Sequence, residues 1–561
     1  NDTKVIDHWL DRMLDLFQQP DTGIVGARLV YADGSLQEAG GVVFSDGSGW
    51  NYGRNDEADR PQYSFVSETD YVSGACLMLR RTLFESLNGF DSYYSPAYYE
   101  DTDLCFRVRA QGLKVMYQPA ATVVHFEGVT SGTDESGGTK RYQVINREKF
   151  IQRWQAELSH QPESPPPLPE QAQNDLDHND VNPSDRVRQL RYHRFAKRAL
   201  IIDAVTPTPD QDSGSVRMFA LLKLFGQIGY QTSFMPSNLA WAGVDSVRLQ
   251  QAGIEVLTAP WVNDVEEWLV EHGRDLNLVL VSRHYILTPL IRLIRHYCPN
   301  AQLLFDTVDL HFLREEREAE VNASAAALRE AARTRRAELS LIERSDATLV
   351  VSGFEARLLN ELKPEARVQV VSNVHSLQSA GNAWADRRDV LFVGGFQHPP
   401  NRDAAFWLIE EILPQIREHL PEVKLHLIGS KMPDAIRERR APGLIVHGFV
   451  ADLEPYLNTC RVSLAPLRYG AGVKGKVNQA MSHGLPVVAT TCAAEGMYTR
   501  HEHDVLMADT ADDFAEQVVR LYQDQALWEK IAANGRDNVE QHFSVAAAER
   551  ALSELLRELE S

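Results

Sequence analysis

Pro466-Leu-Arg-Tyr-Gly-Ala-Gly-Val-Lys-Gly-Lys-Val-Asn-Gln-Ala-Met-Ser-His-Gly-Leu-Pro-Val-Val-Ala489 is the stretch from which the fold of this chain can be read. A strand-like run ends at Leu467, and a loop with Gly470, Gly472 and Gly475 follows. A helix starts near Lys474, and LPVVAT supplies the next strand. Glycines let backbone N–H groups come close to an anion, and a helix N-terminus adds roughly half a positive charge. Arg468, Lys474 and Lys476 add full charges. One lysine about 4 Å from a phosphate oxygen is worth on the order of 4 kcal/mol at an effective dielectric of 20, before desolvation. The stretch therefore reads as a cradle for a diphosphate. The plainer reading is a tight loop with solvated lysines, but here glycines, cations and helix start coincide.

Outward from this loop the same alternation repeats. Apolar runs at 390–395, 423–429, 444–449, 461–467, 485–491 and 504–509 are separated by helical stretches. An earlier series comprises 199–204, 278–282, 302–306, 347–352 and 368–372, with a long charged helix from Phe312 to about Arg344. A polar break at 380–388 divides the two series. Alternation of this kind predicts parallel sheets covered by helices on both faces, hence two doubly wound α/β domains in tandem. Ligands of such sheets bind beyond the carboxyl ends of the strands. Two further loops sit there. Asp212-Ser213-Gly214-Ser215-Val216-Arg217 follows the first strand and reads as a phosphate- or acceptor-facing loop. Asp306-Thr-Val-Asp309-Leu-His311 ends another strand, and a His beside an Asp there suits hydroxyl binding or proton transfer. The alternative for these two is a capping Asp and an interdomain His. The acids and arginines from residue 314 onward read as i,i+4 salt bridges on an exposed helix.

The chain has 561 residues, 57 Lys plus Arg and 78 Asp plus Glu, for a formal charge of −21. That length implies three or four domains, and that charge argues against nucleic acid or an anionic membrane as a partner. No apolar run approaches the roughly 20 residues of a membrane span. The five cysteines, Cys76, Cys105, Cys298, Cys460 and Cys492, are scattered and form no CxxC. A disulfide framework or zinc knuckle is excluded, and a reducing compartment is implied.

Residues 156–195 read as a linker, with Pro162, Pro165, Pro166, Pro167 and Pro169 in a polar stretch. Before it lies a mixed α/β block. Thr3 is expected to cap a helix carrying Val5, Trp9, Met13 and Leu16. GIVGARLVY and residues 71–80 read as strands, 100–110 as a helix, and VMYQP and ATVVHFE as two short strands. Within the block, Tyr98-Tyr99-Glu100-Asp101-Thr102-Asp103 places carboxylates at a helix start, where the plain alternative is dipole partners and caps. The opening Asn1-Asp2-Thr3, without Met or leader pattern, reads as the middle of a longer domain.

Two resemblances follow. Residues 196–561 resemble a GT-B glycosyltransferase of family 4, through the tandem layout, the Gly394-Gly395 strand end with Asn401 after it, and the helix-then-GLPVVAT run. The resemblance implies a nucleotide-sugar donor held by Gly394, Gly395, Asn401, Arg468, Gly472, Lys474, Gly475, Lys476, Gln479 and Glu495, with retention of anomeric configuration and no metal. The family's Glu-x7-Glu positions are Ala471 and Gln479 here, and its arginine after the first strand of the second domain is replaced by Phe396-Gln397-His398. Residues 1–155 resemble a GT-A glycosyltransferase of family 2, through Asp70-Tyr-Val-Ser-Gly-Ala75, Gly89-Phe90-Asp91, Glu100-Asp101 and His125-Phe-Glu127. That resemblance implies Asp101 as the base for an acceptor hydroxyl, with Glu100 beside it. It also implies Mg2+ or Mn2+ with Asp2 and His125 as ligands, and a nucleotide-binding half upstream of Asn1.

The expected fold is thus a truncated GT-A domain (1–155), a linker, and a GT-B unit. That unit has an acceptor domain (196–380), a donor domain (381–544) and a last helix (545–561) packing back on the first of these. The expected activity is sugar transfer from a nucleotide-diphosphate sugar to a glycan or lipid-linked acceptor in bacterial surface polysaccharide synthesis. The expected place is the cytoplasm at the inner face of the membrane, with peripheral contact through a lipid acceptor. The rival reading is a non-catalytic glycan-binding or scaffold protein. A nucleotide-sugar epimerase or dehydrogenase is disfavoured, because Thr206-Pro-Thr-Pro follows the first strand where Gly-x-Gly-x-x-Gly would stand.

Overall fold

A computed structural model of the chain describes residues 2–126, 141–164, 192–210 and 213–560. Contacts divide it into two compact units. One is Asn1–Arg198 with Gly229–Phe234 and Trp241–Asn263; the other is Ala199–Ile228, Met235–Ala240 and Asp264–Ser561. Glu127, Asp212 and the prolines from 165 to 169 lie outside the described residues.

The first unit is built on a mixed sheet. Strand Thr22–Val30 runs parallel to Lys114–His125, and antiparallel strands Thr3–Val5, Leu36–Glu38, Ser67–Glu68 and Leu77–Leu79 extend it. Three expectations are corrected here. Thr3 caps no helix: Thr3–Val5 pairs with His125–Val123, and the helix starts at Trp9. VMYQP and ATVVHFE are one strand, Lys114–His125, whose register shifts against Ala27/Arg28. The strand over 71–80 is only Leu77–Leu79, because the amides of Ser73 and Gly74 bond to the carboxylates of Glu38 and Asp101 rather than to a neighbouring strand. Leu158 of helix Gln155–Leu158 is buried in this unit's core.

From Lys197 onward come two parallel sheets. The first has seven strands in the order Glu255–Val256, Tyr230–Pro236, Lys197–Asp203, Leu278–Ser282, Gln302–Asp306, Ala347–Val350, Val368–Val370. The second has six, in the order Leu444–Gly448, Leu425–Ile428, Val390–Val393, Val462–Ala465, Val487–Ala489, Leu506–Met507. In sequence order the first therefore runs 3-2-1-4-5-6-7 and the second 3-2-1-4-5-6, the doubly wound pattern whose switch point lies beside strand 1. Strands such as LVLVS at 278–282 are buried along their whole length, as a parallel sheet covered on both faces requires. The strand Tyr230–Pro236 was not foreseen. Gln231, Thr232 and Ser233 interrupt its apolar pattern, yet all are buried, and Ser233 Oγ donates to Glu255 Oε2 at 2.6 Å.

The charged stretch after Asp306 is two helices, His311–Val321 and Ala325–Arg344. Ala323 takes a φ of 49° between them, and Ser324 caps the second. The last helix, Val545–Glu560, lies against Val368–Val370, and the Leu559 carbonyl accepts from Gln302. Among the described residues no helix is long and apolar enough to cross a membrane.

Candidate functional site

At the switch point of the second sheet, strand Val462–Ala465 runs out into the glycine loop, and helix Gly475–Ser482 begins with Lys474 as its N-cap. The loop's polarity is sorted. The Gly470 carbonyl accepts from Arg317 at 2.7 Å, and the carbonyls of Ala471 and Gly472 accept from Lys474 Nζ at 3.1 and 2.6 Å. The amides of Gly470, Ala471, Gly472 and Val473 find no acceptor among the described residues. Those of Gly475 and Lys476 belong to the first turn of a helix, whose donors have no intrahelical partner. Three successive carbonyls are thus turned onto cations while the neighbouring N–H groups stay free for an anion.

Lys474 is buried, which lowers its pKa. Lys476 donates to Asn401 Oδ1 at 2.5 Å and lies 4.4 Å from the centre of the Phe392 ring. Burial, with the Lys474 charge adding, pushes it down to about 7. Asn401 Nδ2 donates in turn to the Gly395 carbonyl at 2.8 Å, and a Cβ on Gly394 would meet Asn401 Cγ at 3.0 Å. The strand end Gly394-Gly395, Asn401 and Lys476 are therefore one connected patch. Gln479 lies one helical turn beyond Gly475, half-buried, its side chain unbonded among the described residues.

The first parallel sheet packs its own strand ends against this loop. A Cβ on Gly472 would stand 3.1 Å from Asp309 Cβ and 3.4 Å from Val351 Cγ2. One on Gly475 would stand 2.8 Å from Ser213 Oγ and closer still to Ser213 Cβ, at the start of helix Ser213–Gln227. Gly214 and Ser215 follow in the first turn of that helix, half-buried. Two helix N-termini thus converge. Gly475→Ala should cost about 1–3 kcal/mol of stability, as overpacking does, and should weaken any ligand of this loop. An unchanged melting temperature by calorimetry would contradict the contact.

His311 Nδ1 lies 3.0 Å from the Asp309 carbonyl, an acceptor, so Nδ1 carries the proton in the neutral ring and Nε2 is left as the acceptor. Burial alone would lower the His311 pKa. A hydrogen bond to Glu338 and the charge of Asp309 outweigh it, and the net shift is upward. Asp309 pairs with Arg314. Burial would raise its pKa, but Arg314, His311 and Arg283 hold it below the usual carboxylate range.

Four residues are placed otherwise than expected. Arg217 does not face the cleft: it is buried, bonded to both Asp306 oxygens at 2.9 and 2.8 Å and to the Val371 carbonyl. Arg468 turns from the loop to form a two-pronged pair with Asp403. Glu495 is held at 2.7 and 3.0 Å by Arg317. Arg317 itself forms no i,i+4 bridge but reaches across to the second sheet's loop. Its signal in the sequence is the spacing His311–Arg314–Arg317, one face of a helix that begins at a strand end.

In the first unit Asp101 accepts from the Gly74 amide at 2.8 Å and the Thr102 amide at 2.7 Å. Glu100 has a buried Oε2 without a partner, and burial, then Asp101, raise its pKa. Glu38, unforeseen, flanks the same turn: it accepts from the Ser73 amide at 2.9 Å, its Oε2 is unpartnered, and burial pushes it to about 8. Its signal was an acid inside the apolar, glycine-flanked LQEAGG. Asp2 and His125 come together, Oδ1 to Nε2 at 3.8 Å, with Gln37 on the other ring nitrogen at 3.0 Å. Among the described residues no group of three or more His, Cys, Asp or Glu is arranged to hold a metal. Two side chains do not make a divalent-cation site, so no step is derived through one.

Residues 387–524 match the family described as "Glycosyl transferases group 1" and residues 1–142 "Glycosyltransferase like family 2". The chain is 34% identical over 142 residues to the O-antigen biosynthesis protein RfbC of Myxococcus xanthus, covering 24% of this chain and 11% of that protein. It is 31% identical over 137 residues to the N-acetylglucosaminyl-diphospho-decaprenol L-rhamnosyltransferase of Mycobacterium tuberculosis, covering 22% and 44%. The chain thus spans less than half the length of each of these curated relatives. Among solved structures, sucrose-phosphate synthase (tll1590) from Thermosynechococcus elongatus superposes with a TM-score of 0.51 at 18% identity, over 65% of this chain and 99% of that one.

Proposed function

We propose, from the premise that this chain carries glycosyltransferase domains at both ends, that its 196–561 part moves a sugar from a nucleoside-diphosphate sugar to a glycan or lipid-linked acceptor. The process would be cell-surface polysaccharide synthesis, as the names of the relatives suggest. The observation that carries this reading is the sorted loop: carbonyls of 470–472 bound by Arg317 and Lys474, amides of 470–473 free. Free amides, a helix start and two lysines are the parts that stabilise a leaving diphosphate. They would do so without a metal, with retention of configuration. His311 Nε2 is the group to bind or deprotonate a hydroxyl. In the first unit Asp101 would accept the acceptor's proton, a role that its bonds to the Gly74 and Thr102 amides orient it for. The cytoplasmic face of the membrane is the setting we propose.

A thermal-shift screen of nucleoside diphosphates and their sugars on the whole chain tests the reading, since ligand binding raises apparent stability. If none shifts the melting temperature, the reading fails. Stabilisation without transfer or hydrolysis would favour the glycan-binding alternative, which Ala471 and Gln479 in place of carboxylates support.

The pH dependence is specific. Lys476, held near 7, loses its charge as pH rises, and a bound diphosphate favours the ammonium form. Affinity should therefore fall between pH 7 and 9, by up to about tenfold per unit. Lys476→Arg stays charged throughout and should flatten the profile. Identical slopes in calorimetric titrations of both chains would refute this.

A further inference from the structure

The glycine loop takes one of its cations from the other sheet's domain. Arg317 lies in helix His311–Val321, which follows the strand Gln302–Asp306. Its guanidinium donates to the Gly470 carbonyl at 2.7 Å and to both oxygens of Glu495 at 2.7 and 3.0 Å, and it lies 5.4 Å from the Phe354 ring centre. Gly470 sits at a φ of 148°, where a side chain would be strained. Among the described residues of the second domain no other cation bonds to the Gly470 carbonyl. Phe396-Gln397-His398 offers no arginine, and Arg468 is committed to Asp403. Glu495 is equally shared: it lies among Lys474, Cys492 and Arg317, each of which feels its charge. The contact is half-buried, with 24% of each side chain exposed, so it is open to competition by a ligand and by solvent.

We propose that Arg317 is a positioning residue. It clamps the Gly470 carbonyl and keys it to Glu495, so that a side chain of the first parallel-sheet domain sets the loop of the second with its amides facing outward. A planar, two-pronged guanidinium suits this, because one fork fixes two acceptors at once. Lys474 alone orients the next two carbonyls, and only from within the loop. The inference rests on the donor reading above.

The test is calorimetric binding of UDP, GDP, ADP and dTDP to the whole chain and to Arg317→Ala, Arg317→Lys, Arg317→Glu, Glu495→Gln and the exchanged pair Arg317→Glu/Glu495→Arg. Arg317→Ala and Glu495→Gln are each expected to weaken whichever nucleotide binds by about tenfold or more. Arg317→Lys should fall between wild type and Arg317→Ala. The exchanged pair should bind more tightly than Arg317→Glu alone, which a direct contact of Arg317 with the ligand would not produce. Wild-type affinity in both Arg317→Ala and Glu495→Gln overturns the proposal, as does a loss in Arg317→Ala with none in Glu495→Gln. If the wild-type chain binds none of the four nucleotides, the donor reading falls, and this inference with it.

Discussion

Arg217→Ala is expected to lower unfolding stability by about 3–5 kcal/mol, the range for removing one partner of a buried ion pair. Asp306 is fully buried, and its carboxylate is met by the two Arg217 bonds and by Ser282 Oγ at 2.9 Å. Without the guanidinium, only Ser282 Oγ remains to meet a carboxylate that is cut off from water. The Val371 carbonyl also loses a donor, which ties the strand ends of the first parallel sheet to helix Ser213–Gln227. The first calorimetric transition is the measurement, because a chain of several domains does not unfold in one step. Replacing both partners by apolar groups, Arg217→Met with Asp306→Leu, should recover most of the loss. A deficit under about 1 kcal/mol would refute the account.

The second large effect is on binding. Lys474→Ala removes the ammonium that holds the carbonyls of Ala471 and Gly472, so it costs both a counter-charge and the loop's orientation. A charge-assisted hydrogen bond contributes about 1.5–3 kcal/mol, and 1.4 kcal/mol is tenfold in affinity. Lys474→Ala should thus weaken nucleoside diphosphate binding by about 10- to 100-fold, and addition of Lys476→Ala should remove most of what remains. Melting temperature should change little or rise for Lys476→Ala, because this lysine is buried beside Lys474 without a carboxylate bonded to it. Unchanged nucleotide affinity in the double variant would end the diphosphate reading.

Much of this protein is legible along the chain. Strands buried on both faces must be largely apolar, so VLFV and LVLVS announce parallel sheets without any partner in view. The cap at Ser324 splits the charged stretch that composition alone reads as one helix, its hydroxyl accepting from the Ala327 amide. The glycine loop and its lysines are local too, since their carbonyl partners lie two and three residues away. Where reading failed, the deciding partner was remote. Tyr230–Pro236 carries polar residues whose satisfaction comes from a neighbouring strand. Thr3–Val5 is a strand because Lys114–His125 offers it an edge.

The sequence by itself determined two parallel α/β domains, a glycine loop at a strand's carboxyl end, and an acid pair at a helix start in the first unit. All of these follow from periodicity and from groups a few residues apart. Only the tertiary structure decided which cations serve the loop. Arg217, Arg317 and Arg468 look alike along the chain, yet one neutralises buried Asp306, one reaches Glu495 178 residues away, and one turns to Asp403. A guanidinium's role is set by the acceptors within about 3 Å and by how much water remains around them, and folding alone fixes both.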